Sequence, residues 1–277
     1  MTPTEAIRST FAALAGVAAL LLAACGSTPP RNDYTPPQRT AAPPSAAQAE
    51  TADSDRRAGL RLDLAAAYYA DGRYDVALNE VKRALDANPD LPQALNLRGL
   101  ILAALGDEAL ATQSFKRALE LAPNDADTMH NFGWYLCQRG RYGEAEAMFQ
   151  RAVAAPQYRN ANRTMLAQGV CEARAGQLDK AEATLKRAYE LDAGNPATAM
   201  NLADVLYRKG DYERARFYVR RVNGNAELRN PESLWLAARV ERRLGNPQGM
   251  RDFGNQLRAS YPQSREALAF ERGAFDE

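Results

Sequence analysis

The chain has 277 residues, with Lys+Arg 35 against Asp+Glu 34. A balance this even gives no electrostatic reason to expect nucleic acid or an acidic surface as the main partner. One His and three Cys leave little material for a metal site or a catalytic triad. The hydrophobic share of 46% suffices for a packed core. Ala, Leu, Glu and Arg dominate after residue 55 while β-branched residues are sparse, a mix that favours helix over strand.

Residues 1–24 read as an export signal. Arg8 supplies a sparse positive start, and residues 11–24 form an uncharged apolar run, too short for the roughly 20 residues that span a bilayer. The run closes on Leu22, Ala23, Ala24 and Cys25, followed by Gly26. This order resembles a lipobox, in which small residues fit the signal peptidase and the Cys25 thiol receives diacylglycerol. The alternative is an ordinary signal peptide with a chance Cys at its end. Acyl chains contribute about 0.8 kcal/mol per buried methylene, so the two or three chains of a mature lipoprotein anchor it stably. Gly26 is not the Asp that bacterial sorting associates with inner-membrane retention, so the expected location is the periplasmic face of the outer membrane. Residues 25–55 are then the lipidated Cys and a tether. Pro29, Pro30, Pro36, Pro37, Pro43 and Pro44 among Ser, Thr, Gln and Ala predict disorder with extended polyproline character. About 29 such residues at roughly 3.1 Å each reach up to about 90 Å.

Residues 58–264 repeat. Gly72, Gly106, Gly140, Gly176, Gly210 and Gly245 are spaced by 34, 34, 36, 34 and 35 residues. Five residues after each of the first five stands Ala77, Ala111, Ala145, Ala181 or Ala215, and Met250 follows the sixth. A period of 34 residues is that of the tetratricopeptide repeat, TPR, a pair of antiparallel helices A and B. The expected fold is all-α, a superhelical solenoid of six helix-turn-helix repeats. In it each Gly ends helix A in a left-handed conformation. The Ala lets helix B approach, and Val81, Phe115, Phe149, Leu185 and Val219 fill the core. Ala84, Ala118, Ala152 and Ala188 add a second small position. Gly99, Gly133 and Gly169 are the small residues of helix A, and Pro89, Pro123 and Pro262 stop helix B. Two extra residues enter around 156–161. The sixth repeat departs from the pattern, with Gly254 where a large apolar residue is expected, and residues 265–277 are a candidate capping helix.

Little in the sequence points to catalysis. His130 has no second His for a metal, and there is no Walker loop, nucleophile elbow or dinucleotide fingerprint. His130 reads as a groove-lining or partly buried polar residue, and Tyr68, Tyr69, Tyr74, Trp134 and Tyr135 as packing residues. The protein is expected not to be an enzyme, with no cofactor, nucleic acid or small-molecule substrate. Cys137 and Cys171 fall on helix A of repeats three and four at heights that differ by two residues. In an oxidising periplasm a disulfide is expected if their Cα atoms lie within about 7 Å; two buried free thiols are the alternative.

Residues 131–146, from Asn131 through Trp134, Tyr135, Cys137 and Gly140 to Glu146, followed by Pro156 to Tyr158 and by Gly169 to Cys171, resemble the type IV pilus biogenesis and stability lipoproteins, the PilF/PilW pilotins. Residues 210–216 fit as well. The resemblance implies a lipidated six-TPR protein that helps the pilus secretin reach and assemble in the outer membrane. It places the lipid on Cys25 and the family's mid-domain cysteines at Cys137 and Cys171. A generic TPR scaffold of another envelope or exopolysaccharide complex is the alternative.

In a TPR stack the A helices line the concave face. Leu62, Ala66 and Tyr69 are expected to form an apolar strip there in repeat one, leaving Leu64, Tyr68, Ala77 and Val81 to the core. Tyr207, Arg208, Trp235, Arg239 and Arg242 add an aromatic and basic surface in repeats five and six. Such a groove suits an extended or helical peptide. A strip that merely packs against the tether is the other reading of Leu62 and Tyr69.

Overall fold

The computed structural model describes residues 46–275, with side chains from residue 50. Among the described residues there are helices and no strand. Six helix pairs follow one another: α1 (Ala46–Ala70) with α2 (Tyr74–Ala87), α3 (Pro92–Leu105) with α4 (Glu108–Leu121), and α5 (Ala126–Gln138) with α6 (Tyr142–Ala154). Then come α7 (Ala161–Arg174) with α8 (Leu178–Leu191), α9 (Pro196–Arg208) with α10 (Tyr212–Asn223), and α11 (Pro231–Arg243) with α12 (Pro247–Ser260). A last helix, α13 (Arg265–Arg272), follows the array.

The turn inside each pair is set by glycine. The six repeat glycines have φ between +68° and +84°, a region costly for any residue with a Cβ. The residue after each one donates its N–H five residues back, as Arg73 does to the Tyr68 carbonyl at 2.9 Å and Asp211 to that of Leu206 at 2.9 Å. That bond consumes a carbonyl left open by the helix end. The chain then re-enters a helix, often under a side-chain cap: Asp107 accepts from the Leu110 N–H, Asp211 from Arg214 and Asn246 from Gly249.

Burial follows the repeat. Ala77, Ala111, Ala145, Ala181 and Ala215 are fully buried, as are Val81, Phe115, Phe149, Leu185 and Val219. Each of these five larger residues faces a small residue on helix A of its own repeat, sixteen positions earlier. A methyl group placed on Gly99 would lie 2.8 Å from the Phe115 ring, on Gly133 2.9 Å from that of Phe149, and on Gly169 2.5 Å from Leu185 Cγ. Where the helix A residue is Ala, at Ala65 and Ala203, the partner is the smaller Val81 or Val219. The sixth repeat has Ala238 and Gly254. There the Phe270 ring of α13 occupies the space a Gly254 side chain would need. The departure of Gly254 from the pattern is thus a socket for the last helix, whose Ala267 packs with Leu234 and Leu257.

Three expectations need correction at the N-terminal end. The composition predicts a tether over 25–55, but residues 46–55 belong to α1. After Pro44 the chain holds no proline until Pro89 and is rich in Ala, so nothing stops a helix. Ser54 Oγ donates to the Ala87 carbonyl at 2.6 Å and Asn88 to Asp55 at 2.9 Å, fixing this turn to the end of α2. Secondly, Leu64 is not core: it is 38% exposed, and Ala65 at 0% takes the place. Thirdly, Leu62 and Tyr69 pack against the first core cluster, beside Ala65, Ala77 and Val81. The signal segment, Cys25 and the proline-rich stretch lie outside the described residues.

Consecutive helices pack in order, and each A helix also touches the next A helix, α1 to α3 and on to α9 with α11. The B helices make no comparable contact with one another among the described residues. The stack therefore closes on the A side and opens on the B side, and the A helices line its inner face.

Candidate partner-binding groove

Aligning the repeats on their glycines shows what each A helix offers inward. In repeat one Ala66 is exposed between half-buried Leu62 and Tyr69. The Tyr69 ring leans on that of Tyr74, centroids 5.6 Å apart, and burial raises its hydroxyl pKa. Leu62 and Tyr69 thus serve the core and the groove edge together rather than forming a free apolar strip. In repeats two and three Asn131 donates to Asn96 across the helix boundary at 3.2 Å, an amide pair of the kind that also reads peptide backbone.

Repeats three and four are tied covalently. Cys137 on α5 and Cys171 on α7 are joined by a disulfide, with Cα atoms 5.8 Å apart. Earlier on α5 His130 is buried, its Nδ1 2.9 Å from Thr164 Oγ1, which in turn meets the Tyr158 hydroxyl at 3.0 Å. Tyr158 lies in the α6–α7 loop that holds the two extra residues, so those residues are used to close a polar lock between repeats. Burial, helped by Arg163 and opposed by Asp127, lowers the His130 pKa from 6.5 to about 4. The unfolded chain therefore takes up a proton below pH 6.5 that the folded one refuses until about pH 4. Stability contributed by neutral His130 is present above pH 6.5 and falls across that window. We expect it to drop by about 1–2 kcal/mol by pH 5. Urea unfolding at pH 7.5 and pH 5 will show this difference shrink in His130→Gln; an unchanged difference would assign it to other groups.

The second half of the inner face is aromatic and cationic, though arranged differently from the sequence expectation. Tyr207 is buried and is a seat rather than a contact: the Arg239 guanidinium lies 4.5 Å from its ring centroid. Trp235 is half-buried against Phe275, centroids 4.9 Å apart, with Arg242 4.5 Å from the Phe275 centroid. Trp235 thus belongs to the C-terminal cap as much as to the groove. Arg208 donates to the Ala173 carbonyl at 3.0 Å and faces Asp204 at 3.8 Å. Burial raises the Asp204 pKa while Arg208 and Arg239 pull it back. Arg174, not singled out from the sequence, lies 5.1 Å from the Trp134 ring centroid.

Among the described residues no three His, Cys, Asp or Glu side chains group to hold a metal ion, and no helix is long and apolar enough to cross a membrane. What the fold presents is an inner surface of amide, aromatic and guanidinium groups on rigid helices: a TPR scaffold for a protein partner. Tetratricopeptide-repeat family profiles match residues 90–157, 130–196 and 172–239. The type IV pilus assembly protein PilF of Pseudomonas aeruginosa is 26% identical over 223 residues, covering 79% of this chain and 86% of that one. The crystal structure of PilW, described as a widely conserved type IV pilus biogenesis factor, is 30% identical with a TM-score of 0.71, covering 76% of this chain and 97% of that one. The structure of Pseudomonas aeruginosa PilF, at 22% identity and a TM-score of 0.68, shares the fold over 80% of this chain and 99% of its own. The chain belongs to the family of type IV pilus biogenesis TPR proteins that includes PilW and PilF.

Proposed function

We propose that this protein is an outer-membrane lipoprotein that binds subunits of the pilus secretin in its inner groove and promotes their localisation and multimer assembly or stability. It acts by binding, without catalysis. The observation that carries this is the likeness to PilW across 97% of that chain, together with the order Leu22, Ala23, Ala24, Cys25. The 30% identity and TM-score of 0.71 that accompany this coverage favour the pilus reading over a scaffold for an exopolysaccharide complex. Lipid on Cys25 would place the groove at the membrane where a secretin assembles.

Two substitutions test it in cells producing a pilus. Cys25→Ser is expected to leave the protein soluble in the periplasm and to remove secretin multimers from the outer membrane. Ala66→Arg places a long cation at an exposed position of repeat one while leaving the half-buried Leu62 and Tyr69 in place. It is expected to keep helical content and anchoring while reducing multimers at least about tenfold, equivalent to about 1.4 kcal/mol of binding. Wild-type multimers with Cys25→Ser would refute the carrier role. Wild-type multimers with Ala66→Arg would move the contact away from repeat one.

A further inference from the structure

One repeat position, two residues before each glycine, changes character halfway along the array. It holds Ala70, Ala104 and Gln138 in repeats one to three, and Arg174, Arg208 and Arg243 in repeats four to six. Because the position recurs in register, the three arginines stand in a column along the C-terminal ends of successive A helices, beside Arg239 and Arg242.

On the B helices several guanidiniums are matched with acids: Arg83 with Glu80, Arg117 with Asp90 and Glu120, Arg214 with Glu182, Arg220 with buried Glu241, while Arg221 and Arg258 lie near the rings of Tyr189 and Phe270. Inside the groove Arg174 lies over Trp134 and Arg239 over Tyr207, at 5.1 and 4.5 Å, while Arg208 donates to the Ala173 carbonyl and faces Asp204 at 3.8 Å. Among the described residues neither Arg174 nor Arg239 has a carboxylate within ion-pair distance, and Arg239 Nε is buried without a hydrogen-bond partner. A guanidinium stacked on a ring is fixed in orientation while its in-plane N–H groups stay able to take a carboxylate edge-on. Asp204 is the acid set among them; burial raises its pKa, while the nearby Arg208 and Arg239 guanidiniums act to lower it.

We propose that the inner face of repeats four to six docks an acidic, extended segment of a partner protein, with Arg174, Arg208 and Arg239 as the carboxylate-binding residues. This rests on the reading of the inner face as the partner groove, and it assigns the partner's chemistry: Asp or Glu at intervals, with apolar residues between them to meet the ring faces.

The test uses the purified full chain and a fluorescein-labelled peptide alternating Glu with Leu and Ser, beside the same peptide with Gln for Glu. The acidic peptide is expected to bind at least tenfold more tightly than the Gln peptide at low salt, and to weaken as salt rises. Arg174→Gln with Arg208→Gln is expected to remove that preference. Both side chains are exposed, so the fold should persist, as circular dichroism will check; Arg239→Gln is a separate third variant. Arg83→Gln with Arg117→Gln on the outer face should leave binding unchanged. Equal loss in the inner and outer pairs would overturn the proposal in favour of unspecific charge attraction. So would equal affinity for the two peptides, or binding of an anionic polysaccharide without the acidic peptide. None of these readouts involves the pilus. Peptide binding with wild-type secretin multimers in the Arg174→Gln, Arg208→Gln cell strain would therefore support the site while removing the secretin as its occupant.

Discussion

Replacing Cys137, Cys171 or both by Ala is expected to destabilise the protein by about 4 kcal/mol, and by nearly the same amount in all three variants. The size follows from chain entropy. A cross-link between residues 34 apart denies the unfolded chain the conformations that open that loop, worth about 4 kcal/mol in the loop-entropy description. The equality follows from logic: one bond needs both sulfurs, so losing either loses all of it. Two buried free thiols would behave otherwise. Both cysteines are almost fully buried, so each truncation would leave its own small cavity, and the two costs would add. Urea midpoints of the four proteins separate the cases. Dithiothreitol should bring the parent protein down to the level of the variants and leave the variants where they are. Additive losses, or a parent indifferent to reductant, would remove the bond from the account. The bond spans repeats three and four, where the glycine spacing lengthens to 36. The covalent link, the His130–Thr164–Tyr158 contacts and the longer loop thus reinforce one junction, and that junction lies between the amide-lined and the arginine-lined halves of the groove.

Much of this fold was legible because its demands are local. A positive φ at the end of helix A asks for glycine, a tight helix approach asks for alanine, and both recur at a countable interval. Where the demand is not local the reading slipped. Among the described residues no repeat precedes α1, so an apolar residue there need not mark the core. Leu60 and Leu64 are 65% and 38% exposed on the uncovered end, while Ala65 carries the packing. The proline-rich composition that marks the tether ends at Pro44, and the alanine-rich stretch 46–55, without proline, is free to be helix. The groove was legible in outline only. The arginine column appears once the glycines are aligned, but which ring each guanidinium lies on depends on neighbouring repeats. That Tyr207 is a buried seat and that Trp235 meets Phe275, forty residues further on, is set by tertiary contacts that no period reveals.

The pairing of small and large residues inside each repeat leads to the second large effect. Gly169→Ala should destabilise by about 1–2 kcal/mol even though alanine is the better helix former. The helix gain is about 1 kcal/mol, whereas the new methyl would stand 2.5 Å from Leu185 Cγ and 2.8 Å from its Cδ2. Those atoms are the branch of a fully buried side chain, not the free end of a flexible one. Overpacking costs about 1–3 kcal/mol, and a contact of 2.5 Å against the Cγ of a buried side chain belongs in the upper part of that range, so strain outweighs propensity. Leu185→Val alone should cost about 1 kcal/mol for the methylene it removes. Together they recreate the Ala and Val combination of repeats one and five, Ala65 with Val81 and Ala203 with Val219, all four fully buried. The double variant should therefore be about as stable as the parent, a coupling of roughly 2–3 kcal/mol between residues in direct contact. Urea unfolding of the four proteins measures it. Additive costs would mean that the backbone of α7, rather than the Leu185 side chain, resists the methyl, and that the two positions are matched in size by coincidence. A restored double variant would mean that the spacing between helices A and B is set repeat by repeat by this one pair. It would also explain why Gly254 accepts Phe270 from outside its repeat: with Ala238 opposite and no side chain of its own, the sixth pair leaves room for a ring, and α13 supplies it.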